Sequence, residues 1–186
     1  MGIIYDHMMD KAAIFIDGAY LNRVLKYQFN KASIDYYKLS EEICSSLNLD
    51  RLRTYYYHCM PIIRKGNKND EIRHSKKQKF VSKLQKLPRF EVKAGKLQYI
   101  GKQFRQKRVD VLMSLDIVNM CFDRQITHAI LVAGDSDFIP AIKKAKAYGA
   151  IVHLYYHPSS VHQAILNAVD ERHEIDEDLI EKCKKL

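Results

Sequence analysis

The chain has 186 residues, a formal charge of +9, 47% hydrophobic residues, 12 Tyr and 7 Phe. That is long enough for one domain with a sizeable core and too apolar for a disordered segment. No apolar run approaches the ~18 residues that a membrane-spanning helix needs, and the start, MGIIYDHMMDK, lacks the apolar stretch of a secretion signal, so a cytoplasmic protein is expected, without membrane partners.

Residues 1–10 read as a loose leader, and residues 11–186 as a single domain. AAIFI (12–16) is a short apolar run ended by Asp17-Gly18, the pattern of a strand buried on both faces. A helix follows through AYLNRVLKYQF, and a second through IDYYKLSEEICSSLNL, where Leu39, Ile43 and Leu47 recur at helical spacing. RLRTYYYHC (51–59) is the next strand, its Tyr row suited either to the core or to an interface between copies. PIIRKGNKNDEIRHSKKQ reads as a charged loop, leading into a helix through KKQKFVSKLQKL that stops at Pro88. FEVKAGKLQYIG (90–101) predicts a strand pair about its central Gly. VDVLMSLDIVNMCF (109–122) predicts a helix with Val111, Leu115 and Val118 on one stripe. HAILVAG (128–134) is a buried strand, DFIPAIKKAKAYG a helix closed by Gly149, and AIVHLYY (150–156) another strand. One or two helices complete the chain. Strand and helix alternate throughout, which predicts an α/β fold: a mostly parallel central sheet with helices on both faces.

The charge is unevenly spread. Residues 51–108 hold 18 Lys and Arg against three acids, Asp70, Glu71 and Glu91. A basic middle between acidic flanks fits a polyanionic partner. The candidate nucleic-acid contacts are Arg64, Lys65, Lys68, Arg73, Lys76, Lys77 and Lys79, with Arg105, Lys107 and Arg108 at the end of the run. The four cysteines, Cys44, Cys59, Cys121 and Cys183, form no CxxC pair and read as reduced thiols.

The chemistry gathers on aspartates. Ligands of open α/β sheets collect at the carboxyl ends of the strands. Asp17 follows the first strand, and Asp135 and Asp137 follow HAILVAG. Asp110 joins them if its helix opens toward the same edge. Carboxylates so crowded repel one another unless neutralised, and Mg²⁺ or Mn²⁺ prefers oxygen donors and can promote phosphodiester cleavage. Each aspartate also has an ordinary explanation, as helix cap, turn residue or partner of the helix dipole. Asp116 lies about 120° round the helix from Asp110 and either approaches the same site or faces solvent or a cation. Ser136 can lend a hydroxyl, and Lys107 can meet a phosphate.

Other chemistries fit less well. A phosphatase of the haloacid-dehalogenase type needs an aspartate where Phe15 stands. The first strand has no GxGxxG, there is no P-loop, and Ser136 lacks the GxSxG setting of a nucleophile. His58 and His153 have no HExxH or paired spacing and read as ordinary core or surface residues.

With these residues in view, the chain resembles NYN domains of the PIN-like nuclease superfamily, in particular the LabA-like bacterial branch. The matching segments are AIFIDGAYL (13–21), KRVDVLMSLDIV (107–118), HAILVAGDSDFIPAIKKAKAYGAIV (128–152) and, more weakly, ILNAVDERHEID (165–176). The resemblance implies a three-layer α/β/α sandwich and a ribonuclease dependent on Mg²⁺ or Mn²⁺ that prefers single-stranded RNA. It places Asp17, Asp110, Asp135 and Asp137 in the acidic site. One position departs from the pattern: Tyr20 stands where the family usually has Asn, and it could stack on a base. That departure supports an alternative, a non-catalytic RNA-binding or protein-interaction module. The sequence leaves the oligomeric state open, a homodimer included.

Overall fold

The computed structural model describes residues 10–64, 66–100, 103–107 and 109–185, with the backbone alone for 96–100 and 103–107. In chain order the elements are β1 (Lys11–Asp17), α1 (Gly18–Tyr27), α2 (Tyr36–Ser46), β2 (Asp50–Cys59), α3 (Lys68–Leu84), β3 (Phe90–Ile100), β4 (Gln103–Lys107), α4 (Val109–Phe122), β5 (His128–Val132), α5 (Ile139–Ala147), β6 (Ile151–Tyr156), α6 (Gln163–Leu166), β7 (Glu171–Glu174) and α7 (Glu177–Lys182). The sheet order is β4-β3-β2-β1-β5-β6-β7. Six strands run parallel, and β4 pairs antiparallel with β3 at one edge. The expected mostly parallel α/β architecture is the observed one. Among the described residues, no helix is long and apolar enough to cross a membrane. The leader expected at 1–10 lies outside the described residues except for Asp10, whose carbonyl accepts the N–H of Asp50.

Period-two alternation divides the core between two faces. Ala12, Ile14 and Ile16 of β1 pack with Leu21 and Val24 of α1, Ile43 of α2 and Ile180 of α7. Ala13 and Phe15 pack on the other face with Met113 and Ile117 of α4 and Ile142 of α5. The tyrosines of β2 follow the same rule: Tyr56 enters the first cluster and Tyr55 and Tyr57 the second. All three rings are core residues, so the row is not an exposed interface.

The chain leaves β1 toward β2 over one face and leaves β5 toward β6 over the other. The adjacent strands β1 and β5 therefore form the switch point of the sheet, where a crevice opens beyond the strand ends.

Four local expectations are corrected. The charged segment before residue 76 is only partly a loop: α3 begins at Lys68, capped by Asn67, whose side chain accepts the N–H groups of Asn69 and Asp70. Its residues are nearly all polar, so no apolar stripe announced it. β3 continues through Gly95 instead of turning there, and its antiparallel partner is β4. A Cβ at Gly95 would sit 2.4 Å from Cγ2 of Val109, so this glycine admits the start of α4. The C-terminal segment contains β7, an edge strand of sequence ERHE too polar to signal itself. In α4 the buried side is Val109, Met113, Ile117 and Met120, while Val111 and Leu115 face outward.

Candidate active site

Asp17 is the last residue of β1 and the cap of α1. Its Oδ1 accepts the N–H groups of Ala19 at 2.9 Å and Tyr20 at 3.1 Å. Asp135 does the same work past β5, capping a 3-10 turn (Ser136–Phe138) by accepting the N–H of Asp137 at 3.1 Å. Capping therefore does not exclude a chemical role for these aspartates. One oxygen fixes the turn, and the other has no bonded partner among the described residues. Asp137 lies within the turn; it does not cap α5, whose first turn carries Pro140.

Asp110 arrives from the opposite side. It lies in the first turn of α4, which starts against Gly95 in the middle of β3, the residue paired with Cys59 at the carboxyl end of β2. Burial pushes its carboxyl upward, and the charges of Asp17, Asp135 and Asp137 add to the shift. The Asp17 carboxyl is also raised, chiefly by burial and further by Asp135, against the opposing effect of its two backbone hydrogen bonds and of Arg23. The four aspartates thus share one electrostatic neighbourhood, and none of them forms a salt bridge among the described residues. They do not form a closed ligand shell: no three bring their oxygens within 4.8 Å of one another, a spacing met among the described residues only by His153, Glu171 and His173.

The glycines of the DG and AGDSD segments have a packing reason. A Cβ on Gly18 would lie 2.4 Å from Cζ of Tyr56 and 2.7 Å from the carbonyl of Tyr57, and one on Gly134 would lie 2.3 Å from Cε2 of Tyr20. Side chains there would push the two capped turns away from the sheet.

The other expected site residues divide. Tyr20 is 1% exposed, and its hydroxyl accepts the N–H of His157 at 2.9 Å. It has no open face for a base, so the stacking expectation is corrected: Tyr20 ties α1 to the segment after β6. Asp116 turns away from the mouth. Tyr57 donates to it at 2.6 Å and Lys93 lies 2.8 Å from it. Ser136 lines a groove with Asp110, Asp137, Val111, Leu115 and Val118, about 720 Å³ in volume. The apolar stripe expected in α4 is the wall of this groove.

Of the basic residues, Arg64 and Arg73 both grip the buried carboxylate of Asp70, Arg64 with Nε at 2.6 Å, and Asp70 is held well below the usual carboxylate range by that pairing. Lys68, Lys76 and Lys79 are exposed on α3. Lys77 is different: half-buried, it places its ammonium 5.0 Å from the Phe80 ring, 5.2 Å from the Tyr56 ring and 3.4 Å from the Tyr56 hydroxyl. Burial pulls it down to about 8. Its charge acts on Cys59, which also feels Asp110 and Asp17, so Lys77 borders the acidic mouth. Lys65 and Arg108, and the side chains of Arg105 and Lys107, lie outside the described residues.

Residues 11–176 match the family model described as NYN domain. The chain is 32% identical over 94 residues to the uncharacterized protein y4oD of Sinorhizobium fredii, covering 49% of this chain and 44% of that protein. It thus spans less than half the length of that relative. Its fold is similar to the crystal structure of VPA0982, a Vibrio parahaemolyticus protein of unknown function, with a TM-score of 0.70 at 21% identity over 93% of this chain and 96% of that one.

Proposed function

The chain belongs to the NYN domain family, within the PIN-like nuclease superfamily, and from that premise we propose that it is a divalent-metal-dependent endoribonuclease of the LabA-like branch, acting on single-stranded RNA. What supports this reading is that Asp110 feels the charges of Asp17, Asp135 and Asp137 near the switch point of the sheet, and that none of the four forms a salt bridge among the described residues.

The donor set is carboxylate oxygen alone, which suits a hard cation such as Mg²⁺ or Mn²⁺. The absence of a closed shell is compatible with that choice, since Mg²⁺ usually keeps several waters and takes only one or two carboxylates. Asp17, Asp110, Asp135 and Asp137 would hold it, directly or through water. Bound there, the cation supplies Lewis-acid stabilisation for charge developing on a phosphodiester.

The remaining work falls to the chain itself. Asp17 and Asp135 keep their orientation because backbone N–H groups fix one oxygen of each. Exposed Asp137 is our candidate to accept a proton from the attacking water. Lys77 would meet a phosphate at the rim, while Lys68, Lys76 and Lys79 draw the strand in by counterion release. The groove over Val111, Leu115 and Val118 offers apolar surface to a base beside the cleaved bond.

The test is cleavage of labelled single-stranded RNA with Mn²⁺, Mg²⁺ or EDTA, comparing wild type with Asp135→Asn. Metal-dependent cleavage lost in the variant supports the reading. Binding without cleavage would instead favour a non-catalytic RNA-binding module, and cleavage that persists in Asp135→Asn would refute the site.

A further inference from the structure

A second cluster lies away from the acidic mouth. His153 of β6 pairs in register with Glu171 of β7, and His173 lies two residues on, so all three side chains leave the sheet on one face. Nδ1 of His153 is 3.1 Å from Oε2 of Glu171 and 3.3 Å from Nε2 of His173, and that nitrogen is 3.6 Å from the same carboxylate oxygen. These are the lengths expected for the edges of a ligand tetrahedron. Bonds of about 2.0–2.1 Å to a zinc-type ion put adjacent ligand atoms about 3.3 Å apart.

We propose that His153, Glu171 and His173 form a binding site for a divalent transition-metal ion of the zinc class, with a structural role in fastening the edge strand β7 to β6. Two imidazole nitrogens and one carboxylate are borderline donors, unlike the all-oxygen set of the aspartate mouth, so the two sites sort cations by chemistry. The rings are held in place by stacking. His153 lies against His128 at 5.3 Å and His173 at 5.5 Å, and His173 lies against Tyr155 at 4.7 Å. The His153 side chain is 4% exposed, whereas those of His173 and Glu171 are 25% and 52% exposed. The site therefore has a rigid buried wall and an open side through which the ion enters and water completes the coordination. β7 is only four residues long, and an ion bonded to both strands would hold it more firmly than its few ladder hydrogen bonds.

A single N–H shared among the three groups could also draw them together, and the two explanations differ in measurable ways. The full chain, stripped with chelator, is titrated with Zn²⁺ alone by calorimetry, in wild type, Glu171→Gln, His173→Asn and the mouth variant Asp135→Asn. Wild type and Asp135→Asn should bind one Zn²⁺ alike and gain thermal stability from it. Glu171→Gln and His173→Asn, whose side chains are partly exposed, should weaken binding by roughly tenfold or more, the scale already seen when only the partners behind a ligand are lost. Co²⁺ in place of Zn²⁺ should give the intense visible bands of tetrahedral coordination. Zn²⁺ binding that is unchanged in Glu171→Gln and His173→Asn, or abolished in Asp135→Asn, would overturn the proposal. So would the faint spectrum of octahedral Co²⁺.

Discussion

Asp17 ends β1 and Asp135 follows the neighbouring parallel strand β5, and each turns one carboxylate oxygen onto the backbone N–H groups of the turn that follows. The bonds that orient them do not neutralise them. Two negative side chains are thereby held at one crevice, and Asp110 feels both.

Asn keeps the capping geometry and removes the charge, so Asp17→Asn and Asp135→Asn should fold normally while losing roughly a hundredfold or more of cleavage rate, the scale for one preorganised electrostatic contact. Single-turnover rates with Mn²⁺ check this against unchanged circular dichroism.

In EDTA, Asp110→Asn should melt higher than wild type at neutral pH. A carboxyl raised in the folded state penalises folding when ionised. The penalty is fully present above the folded pKa and fades as pH falls through it toward the ordinary carboxylate value. The gain in melting temperature should therefore shrink on acidification, and a gain that grows instead would contradict the repulsion.

Tyr20→Phe should lower stability by about 1–3 kcal/mol, because the part-buried N–H of His157 loses its acceptor, while leaving RNA affinity unchanged. Tyr20→Ala should cost about 3–5 kcal/mol by opening a cavity. Urea unfolding together with fluorescence anisotropy on an oligonucleotide separates the two effects. A Tyr20→Phe protein that binds RNA several times more weakly would restore a direct role for this ring.

Burial brings Lys77 down to about 8, so it loses its charge as pH rises through that value. RNA affinity should fall as pH rises through that value in wild type, and Lys77→Met should bind severalfold more weakly at neutral pH with that step absent. Binding isotherms at constant ionic strength across the range test both points.

Asp70 joins Arg64 and Arg73 at the entry to α3. Its folded carboxyl is depressed, so its contribution is complete above the usual carboxylate range and is lost as pH falls through the folded value. Asp70→Asn should be less stable than wild type near neutral pH and converge with it in strong acid. Acid titrations followed by circular dichroism would show a constant gap if the pairing contributed nothing.

The buried strands, and the positions of three candidate aspartates at or past their ends, were legible because their signals are local. AAIFI and HAILV are apolar runs with an aspartate at or just beyond their ends, and the strand-end rule for parallel sheets supplied the rest. Tyr20 misled because the pattern fixes its position and not its burial, which depends on Gly134 and His157 far along the chain. The long polar helix α3 and the short polar strand β7 carry no apolar periodicity to read. The cluster of His153, Glu171 and His173 depends on cross-strand register, which no spacing along one segment reveals.

The most direct test is anomalous diffraction from crystals grown with Mn²⁺. A manganese peak is expected in the crevice between Asp17, Asp110 and Asp135, with at least one carboxylate oxygen and several waters around it. A crevice without manganese at saturating concentration, its aspartates paired instead with protein cations, would contradict it.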